Sequence, residues 1–187
     1  MTTAERRVLT DYLDETGARV LEIFRRFSAE QLTFKPEPDR WSIVQNVEHL
    51  SIVDRLVLIK IEQVIHTAEG VKESAWAGRD SDFLTQARRR TQRLEAPGFI
   101  QPEAGSEPAM TFRKFETSHN CLREFAATTV DELRRFCFPH PVYGELDCYQ
   151  WLLLSGGAHC ERHLAQIRDV IESANFPKGV ETHGCAK

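Results

Sequence analysis

The chain lacks the long apolar runs that would carry a segment across a membrane. Its 187 residues are 41% hydrophobic and 28% charged, and no apolar run approaches the roughly 18 residues that a bilayer span needs. The first residues, Met-Thr-Thr-Ala-Glu-Arg-Arg, have no apolar core behind their charges, so they do not resemble a secretory signal. We therefore expect no membrane attachment.

Paired cysteines and an excess of basic residues are also missing. The five cysteines are odd in number and include no C-x-x-C pair, which argues against a disulfide framework and predicts a cytoplasmic protein. The formal net charge of −4 argues against nucleic-acid binding, because phosphate recognition needs a concentrated basic surface. The arginines at positions 88, 89, 90 and 93 are interpreted as a solvated helix face.

Apolar residues recur at a spacing of three to four, which predicts amphipathic helices. Ser42 with Gln45, and Asp147 with Gln150, have the spacing of capping boxes and predict where the second and fourth helices begin. No segment alternates as a strand would. The predicted long helices cover residues 4–27, 42–65, 111–128 and 147–173, with shorter helical segments at 81–94 and 130–136.

These elements predict an all-α fold, a four-helix bundle with a long crossover between helices two and three. Residues 1–176 would form a single domain, followed by a frayed tail at 177–187. The connection over 67–110 is rich in glycine and proline and unusually long for packed helices, so we expect it to shape the mouth of a site. His140 and Pro141 are assigned to a turn.

Three histidines carry the chemical signal of the sequence. His159 and His163 lie four residues apart, so their imidazoles share one helix face. The two caps turn that face, and the face that carries His49, toward the apolar interior. A buried imidazole needs a hydrogen bond or a metal. Together the three could hold one divalent cation and leave positions open for water or substrate; the alternative is a pair of core histidines bonded to neighbours.

Other metal motifs fit less well. A metallopeptidase helix needs a glutamate directly after the first histidine, but Cys160 holds that place and Glu161 points about 200° away from His159. A zinc finger lacks its upstream cysteine pair, and a di-iron bundle would need Glu-x-x-His on two helices. Glu48 directly precedes His49 instead of lying three residues before it, so the di-iron pattern is a weak match.

Further residues share the inward faces. Gln166 and Ser155 are predicted to orient a ligand or a bound water, with simple packing as the alternative. His119 and Trp151 are candidates for the pocket wall. For His119 the competing interpretation is a core histidine hydrogen-bonded to a neighbour.

The chain resembles the DinB-like, or YfiT-like, four-helix bundle metalloproteins. The resemblance rests on Arg-Trp-Ser-Ile at 40–43, a histidine at 49 and the late His-x3-His-Leu-x-Gln-Ile at 159–167. It implies a divalent metal, commonly zinc or nickel, held by His49, His159 and His163, and a homodimer. Characterised relatives of this kind include bacillithiol S-transferases and a mycothiol-dependent maleylpyruvate isomerase, and others are described as metal-dependent hydrolases.

Three functional hypotheses follow. In the first, the metal lowers the pKa of a small thiol, and the thiolate attacks an electrophilic carbon. In the second, the metal activates water for hydrolysis, which usually needs a nearby carboxylate. Asp54 and Glu48 lie about 140° and 100° from His49 around an ideal helix, so no carboxylate is expected on the ligand face, and thiol transfer is favoured. The third is a metal-binding stress-response protein without turnover.

Overall fold

The computed structural model describes residues 1–67, 71–89 and 96–178. The α-helices are α1 (Thr3–Arg26), α2 (Ala29–Thr33), α3 (Ile43–Thr67), α4 (Asp80–Arg88), α5 (Pro108–Thr128), α6 (Cys148–Leu152) and α7 (Cys160–Ile171). A π-helix (Leu153–His159) joins α6 to α7, so that these three form one continuous stretch, called here the last helix. Single 3-10 turns occupy Gly98–Ile100 and Leu133–Arg135, and two strands, β1 (Cys137–His140) and β2 (Gly144–Asp147), form an antiparallel hairpin.

Four long helical stretches pack as a bundle. α5 lies between α1 and α3, and the last helix closes the bundle by packing against both α1 and α3. The interior contains two large apolar clusters, one of them around Leu9, Leu13 and Leu122 and the other around Val20, Val47 and Phe115. The predicted all-α bundle is confirmed.

Local capping determines where the helices begin. The Ser42 hydroxyl accepts from the Gln45 amide at 3.2 Å, and the Ser42 amide donates to the Gln45 side chain at 3.1 Å. Asp147 and Gln150 form the same reciprocal box, as predicted. α5 begins at Pro108, three residues earlier than predicted, because the Glu107 carboxylate accepts from the amides of the first turn.

The structure differs from the sequence-based expectation between the third and last helices. Of the helical segment predicted at 130–136, only a 3-10 turn at Leu133–Arg135 forms. The predicted turn is present at 141–143, but strands β1 and β2 flank it, and His140 is the last residue of β1 and not part of the turn. Each strand is only four residues long, and its exposure does not alternate, so the period of two that marks a strand was absent from the sequence.

The crossover contains α4 and the 3-10 turn at Gly98–Ile100. Residues 90–94 of the helix predicted at 81–94 lie outside the described residues, as do 179–187 of the predicted tail. The domain boundary at 176 therefore stays a prediction. Over the three described ranges, no helix has both the length and the apolar character that crossing a membrane would need.

Candidate metal centre

His49 lies on α3 beneath the crossover. Its Nδ1 donates to the carbonyl of Ile100 at 2.7 Å, so the crossover covers the site, as the sequence predicted. With the proton on Nδ1, the lone pair of the ring is on Nε2. Burial lowers the pKa of His49, and the Ile100 hydrogen bond and the Asp54 charge only partly offset this effect. The imidazole is therefore neutral and able to bind a metal at neutral pH.

His163 lies on α7 and is oriented by a short chain of hydrogen bonds. Its Nδ1 donates to the Asn46 side-chain oxygen at 2.8 Å. The Asn46 amide group in turn donates to the carbonyl of Ser42 at 2.8 Å. Because Asn46 is only 1% exposed, this arrangement fixes both the ring orientation and the tautomer. The lone pair of His163 is again on Nε2.

His159 is the last residue of the π-helix and projects between the other two histidines. Burial, followed by the charges of His49 and Arg162, lowers its pKa well below the ordinary value. Its Nδ1 is buried and has no hydrogen-bond partner in the part of the chain that the structure describes. The ring of His159 is therefore positioned by packing against neighbouring side chains and by the helix that carries it.

The three Nε2 atoms converge. That of His159 lies 3.3 Å from His49 Nε2 and 3.0 Å from His163 Nε2, and all three ligand atoms lie within 4.8 Å of one another. A metal–nitrogen bond of about 2.1 Å separates two ligand nitrogens by about 3.4 Å at a tetrahedral angle and about 3.0 Å at a right angle. The two separations from His159 therefore match the spacing of nitrogens around one divalent cation.

The protonation pattern also fits a cation. His49 and His163 each present a lone pair, and His159 can donate its single proton to only one of them. A cation would satisfy all three nitrogens, and three protein ligands leave at least one coordination position open, as in catalytic sites. These residues could hold a metal ion.

Trp41 lies on one side of the group. Its ring stacks on His163 at a centroid distance of 6.0 Å and 14°, and it lies tilted against His49 at 5.0 Å. The aromatic ring limits water on that side and restricts both imidazoles. Although Trp41 belongs to the motif on which the resemblance rests, sequence reasoning did not assign it to the site.

Two buried carboxylates lie close to the group, which the helical angles did not predict. Asp54 and Glu48 are 1% and 4% exposed. Both carboxylates already accept hydrogen bonds from other groups. Glu48 Oε2 accepts from the Glu103 amide and the Ser106 hydroxyl of the crossover. The two oxygens of Asp54 accept from Ser155 and His119. Neither carboxylate joins the group of three histidines.

The remaining predicted residues have different places. Ser155 and His119 bond to Asp54, which agrees with the interpretation of His119 as a core histidine, and its role in a pocket wall stays a prediction. Trp151 donates to the Phe138 carbonyl at 3.0 Å and stacks on the Phe138 ring, so it holds the hairpin. Gln166 is partly buried, and its predicted role stays a prediction. The residue that orients His163 is Asn46, which sequence reasoning missed.

The hydrogen bonds of the Glu161 side chain agree with the exclusion of a metallopeptidase motif. Glu161 Oε2 accepts from the Tyr12 hydroxyl at 2.8 Å and from Arg88 Nε at 2.6 Å. Its carboxylate therefore links α7 to α1 and α4. Burial raises the pKa of the neighbouring Cys160 thiol well above its usual value, so this residue is an inert part of the core.

The fold and the site together define a class of protein: helical bundles whose interior holds three histidines that could bind one metal ion and leave a coordination position open. Comparison with known sequences identifies the family within that class. The chain belongs to the DinB superfamily, whose family model matches residues 12–167. It is 28% identical over 149 residues to the uncharacterized protein YuaE of Bacillus subtilis (strain 168), a match that covers 78% of this chain and 86% of that protein. No solved structure matches.

Proposed function

We propose that the protein is a metal-dependent thiol S-transferase, in which a divalent ion held by His49, His159 and His163 binds a low-molecular-weight thiol. One observation carries the proposal. Three imidazoles converge without a carboxylate among them, so a bound dication keeps its full charge of two. Such a centre favours an anionic ligand, and it would lower the pKa of a bound thiol so that the thiolate form exists at neutral pH.

The surrounding residues favour thiol transfer over hydrolysis. Hydrolysis by a metal-bound water usually uses a nearby carboxylate that accepts a proton from that water. The buried candidates are Glu48, which binds the crossover, and Asp54, which binds Ser155 and His119. Thiol transfer needs no such base, because the thiol proton can leave to solvent. The thiol sulfur then forms a bond to an electrophilic carbon, and the leaving group departs with the electron pair of the bond that breaks.

The identity of the ion is part of the proposal. The nitrogen separations of 3.3 Å and 3.0 Å lie between the values for tetrahedral and right-angled coordination, so zinc and nickel both fit. His49 and His163 are oriented by Ile100 and Asn46, and the nucleophile in this proposal is the bound thiol. The homodimer implied by the family resemblance also stays a prediction.

Metal analysis of the purified protein tests the centre. We expect one zinc or nickel ion per chain in the wild-type protein and a loss of metal in His49→Ala. The matched control is His66→Ala, which removes an exposed histidine from the same helix and should keep the wild-type metal content. An unchanged stoichiometry in His49→Ala would contradict the three-histidine centre.

A conjugation assay tests the reaction. The metal-loaded protein is incubated with monochlorobimane and a panel of thiols that includes bacillithiol and mycothiol, and the fluorescent conjugate is measured. We expect conjugation with at least one thiol that is lost on metal removal and in His49→Ala. Metal-dependent ester or amide cleavage without conjugation would favour a hydrolase instead, and neither activity would favour a metal-binding protein without turnover.

A further inference from the structure

A chain of buried polar groups connects three helices to the segment that carries His159. Ser155, in the π-helix, donates to Asp54 Oδ1 on α3 at 2.8 Å. His119 on α5 donates through Nδ1 to Asp54 Oδ2 at 2.9 Å, and through Nε2 to the Leu13 carbonyl on α1 at 2.9 Å. Ser155, Asp54 and His119 are 1%, 1% and 4% exposed. None of these groups contacts solvent freely.

The partners of His119 determine its protonation. Both of its ring nitrogens face acceptors, one a carboxylate and one a carbonyl. Both must therefore carry a proton, and the ring is an imidazolium paired with the Asp54 carboxylate. Burial lowers the pKa of His119, but the hydrogen bond and the charge of Asp54 outweigh burial and raise the pKa above its ordinary value. A buried ion pair of this kind demands a defined geometry from its neighbours.

The π-helix is the element that needs positioning. A π-helix is rare because each turn contains an extra residue, and it persists only where the surroundings hold it. Here the Thr16 hydroxyl donates to the Gly156 carbonyl at 2.6 Å. Only glycine fits at 156 and 157, because a Cβ there would lie 2.0 Å from Leu13 and 2.1 Å from the Tyr12 ring. α1 therefore supports one side of the π-helix, and Asp54 holds Ser155 from α3.

We propose that Asp54 and His119, acting through Ser155, are positioning residues that fix the π-helix in the register that brings His159 to His49 and His163. Ser155 lies one helical turn before His159 and is bonded to the same helix, α3, that supplies His49. The buried pair thus fixes the distance between the two helices that contribute metal ligands. The inference rests on the proposed metal centre, but its test needs no catalytic activity.

The test compares Co²⁺ binding by the wild-type protein and Ser155→Ala. Co²⁺ reports ligand geometry through its visible absorption bands, which are stronger in tetrahedral than in higher coordination. We expect Ser155→Ala to bind Co²⁺ roughly tenfold more weakly and to show altered bands. The matched control is Ser51→Ala, which also removes a buried serine hydroxyl, here one that donates to the Glu48 carbonyl, and which should bind Co²⁺ as the wild-type protein does.

A second variant keeps the test decisive if Ser155→Ala does not fold, as judged by its helical circular dichroism. Asp54→Asn has nearly the same size but removes the charge and replaces one of the two acceptor oxygens by an NH2 donor. We expect it to weaken Co²⁺ binding and alter the bands as well. Wild-type affinity and bands in the folded variants would overturn the inference, as would an equal loss in Ser51→Ala. Failure of the wild-type protein to bind Co²⁺ would instead overturn the metal centre, and this inference with it.

Discussion

Replacement of Gly156 by alanine tests whether the π-helix is held tightly against α1. An added Cβ would lie 2.0 Å from Leu13 Cδ2 and 3.3 Å from His119 Cε1. Ordinary carbon–carbon contacts are about 3.5–4.0 Å, so the Leu13 methyl would have to retreat by about 1.5–2 Å. Leu13 is 0% exposed and belongs to the main apolar cluster, so there is little space for that movement.

The expected cost follows from this overlap. Overpacking of a filled core destabilises by about 1–3 kcal/mol, and in a domain of this size each kcal/mol lowers Tm by about 2–4 °C. Gly156→Ala should therefore lower Tm by roughly 2–12 °C. The direction is informative, since an alanine in place of glycine within a helix otherwise stabilises by about 0.5–1 kcal/mol.

Thermal unfolding followed by circular dichroism measures the effect. The matched control is Gly98→Ala, because a Cβ at Gly98 meets nothing within 4 Å and its backbone is outside the left-handed region. This control should keep the wild-type Tm. If Gly156→Ala unfolds at or above the wild-type temperature, α1 does not hold the π-helix as described.

Three further predictions concern the histidines. Asn46→Ala removes the acceptor for His163 Nδ1. We expect this variant to lower metal affinity by about 10–100-fold, as measured by chelator-competition titration. The control Gln31→Ala, which loses a buried amide bonded to Pro177, should show no change in affinity. Because the pKa values of His49 and His159 are both lowered, protons compete with the metal only below the ordinary histidine value of 6.5. Affinity measured by the same titration should be nearly constant from pH 8 to 6.5, and a steep fall within that range would contradict the assignment. His119 has a raised pKa, so its contribution to stability is fully present below pH 6.5 and is lost as pH rises through its folded-state pKa. In urea unfolding, His119→Ala should therefore lower the free energy of unfolding more at pH 6 than at pH 9. Equal decreases at the two pH values would contradict an imidazolium.

The sequence was sufficient for the bundle and for the candidate ligands because both depend on local signals. The capping boxes at Ser42 and Asp147 require only a hydroxyl or carboxylate and an amide three residues later. The Ser42 box determines the phase of the second helix, and that phase turns His49 inward. For His159 and His163, which follow the π-helix, the local signal is their four-residue spacing, which puts both on one helix face. The sequence of the β1–β2 hairpin contains no comparable local signal. The hairpin is held by tertiary contacts such as the stacking of Phe138 on Trp151.

The π-helix could not be derived from helical periodicity. A wheel drawn at 100° per residue assumes regular α-helix throughout, whereas Leu153–His159 has an extra residue per turn. The cause is tertiary: Gly156 and Gly157 allow α1 to approach closely. Glycines in a helix are a signal of close approach, but they do not reveal which helix approaches.

The helical angle placed Asp54 away from the face of α3 that carries His49, and the packing of α3 explains why Asp54 is nevertheless buried. Its angle of about 140° from His49 would place it on a different face if α3 had only one buried face. α3, however, packs against both α5 and the last helix, so its interior arc is wide. Asp54 lies in the seam between these two neighbours, where it meets His119 from α5 and Ser155 from the last helix.

One antiparallel pairing accounts for the whole polar interior between α3 and the last helix. Asn46 bonds to His163, His49 lies against His159, and Asp54 bonds to Ser155. Each step up α3 is matched by a step down the last helix, which is the pattern of two antiparallel helices in contact. Once His49 is paired with His159, an antiparallel count brings Asn46 to within one residue of His163 and Asp54 to within one residue of Ser155. The residues that orient the ligands could therefore be found from the sequence, but only after one pair had been assigned.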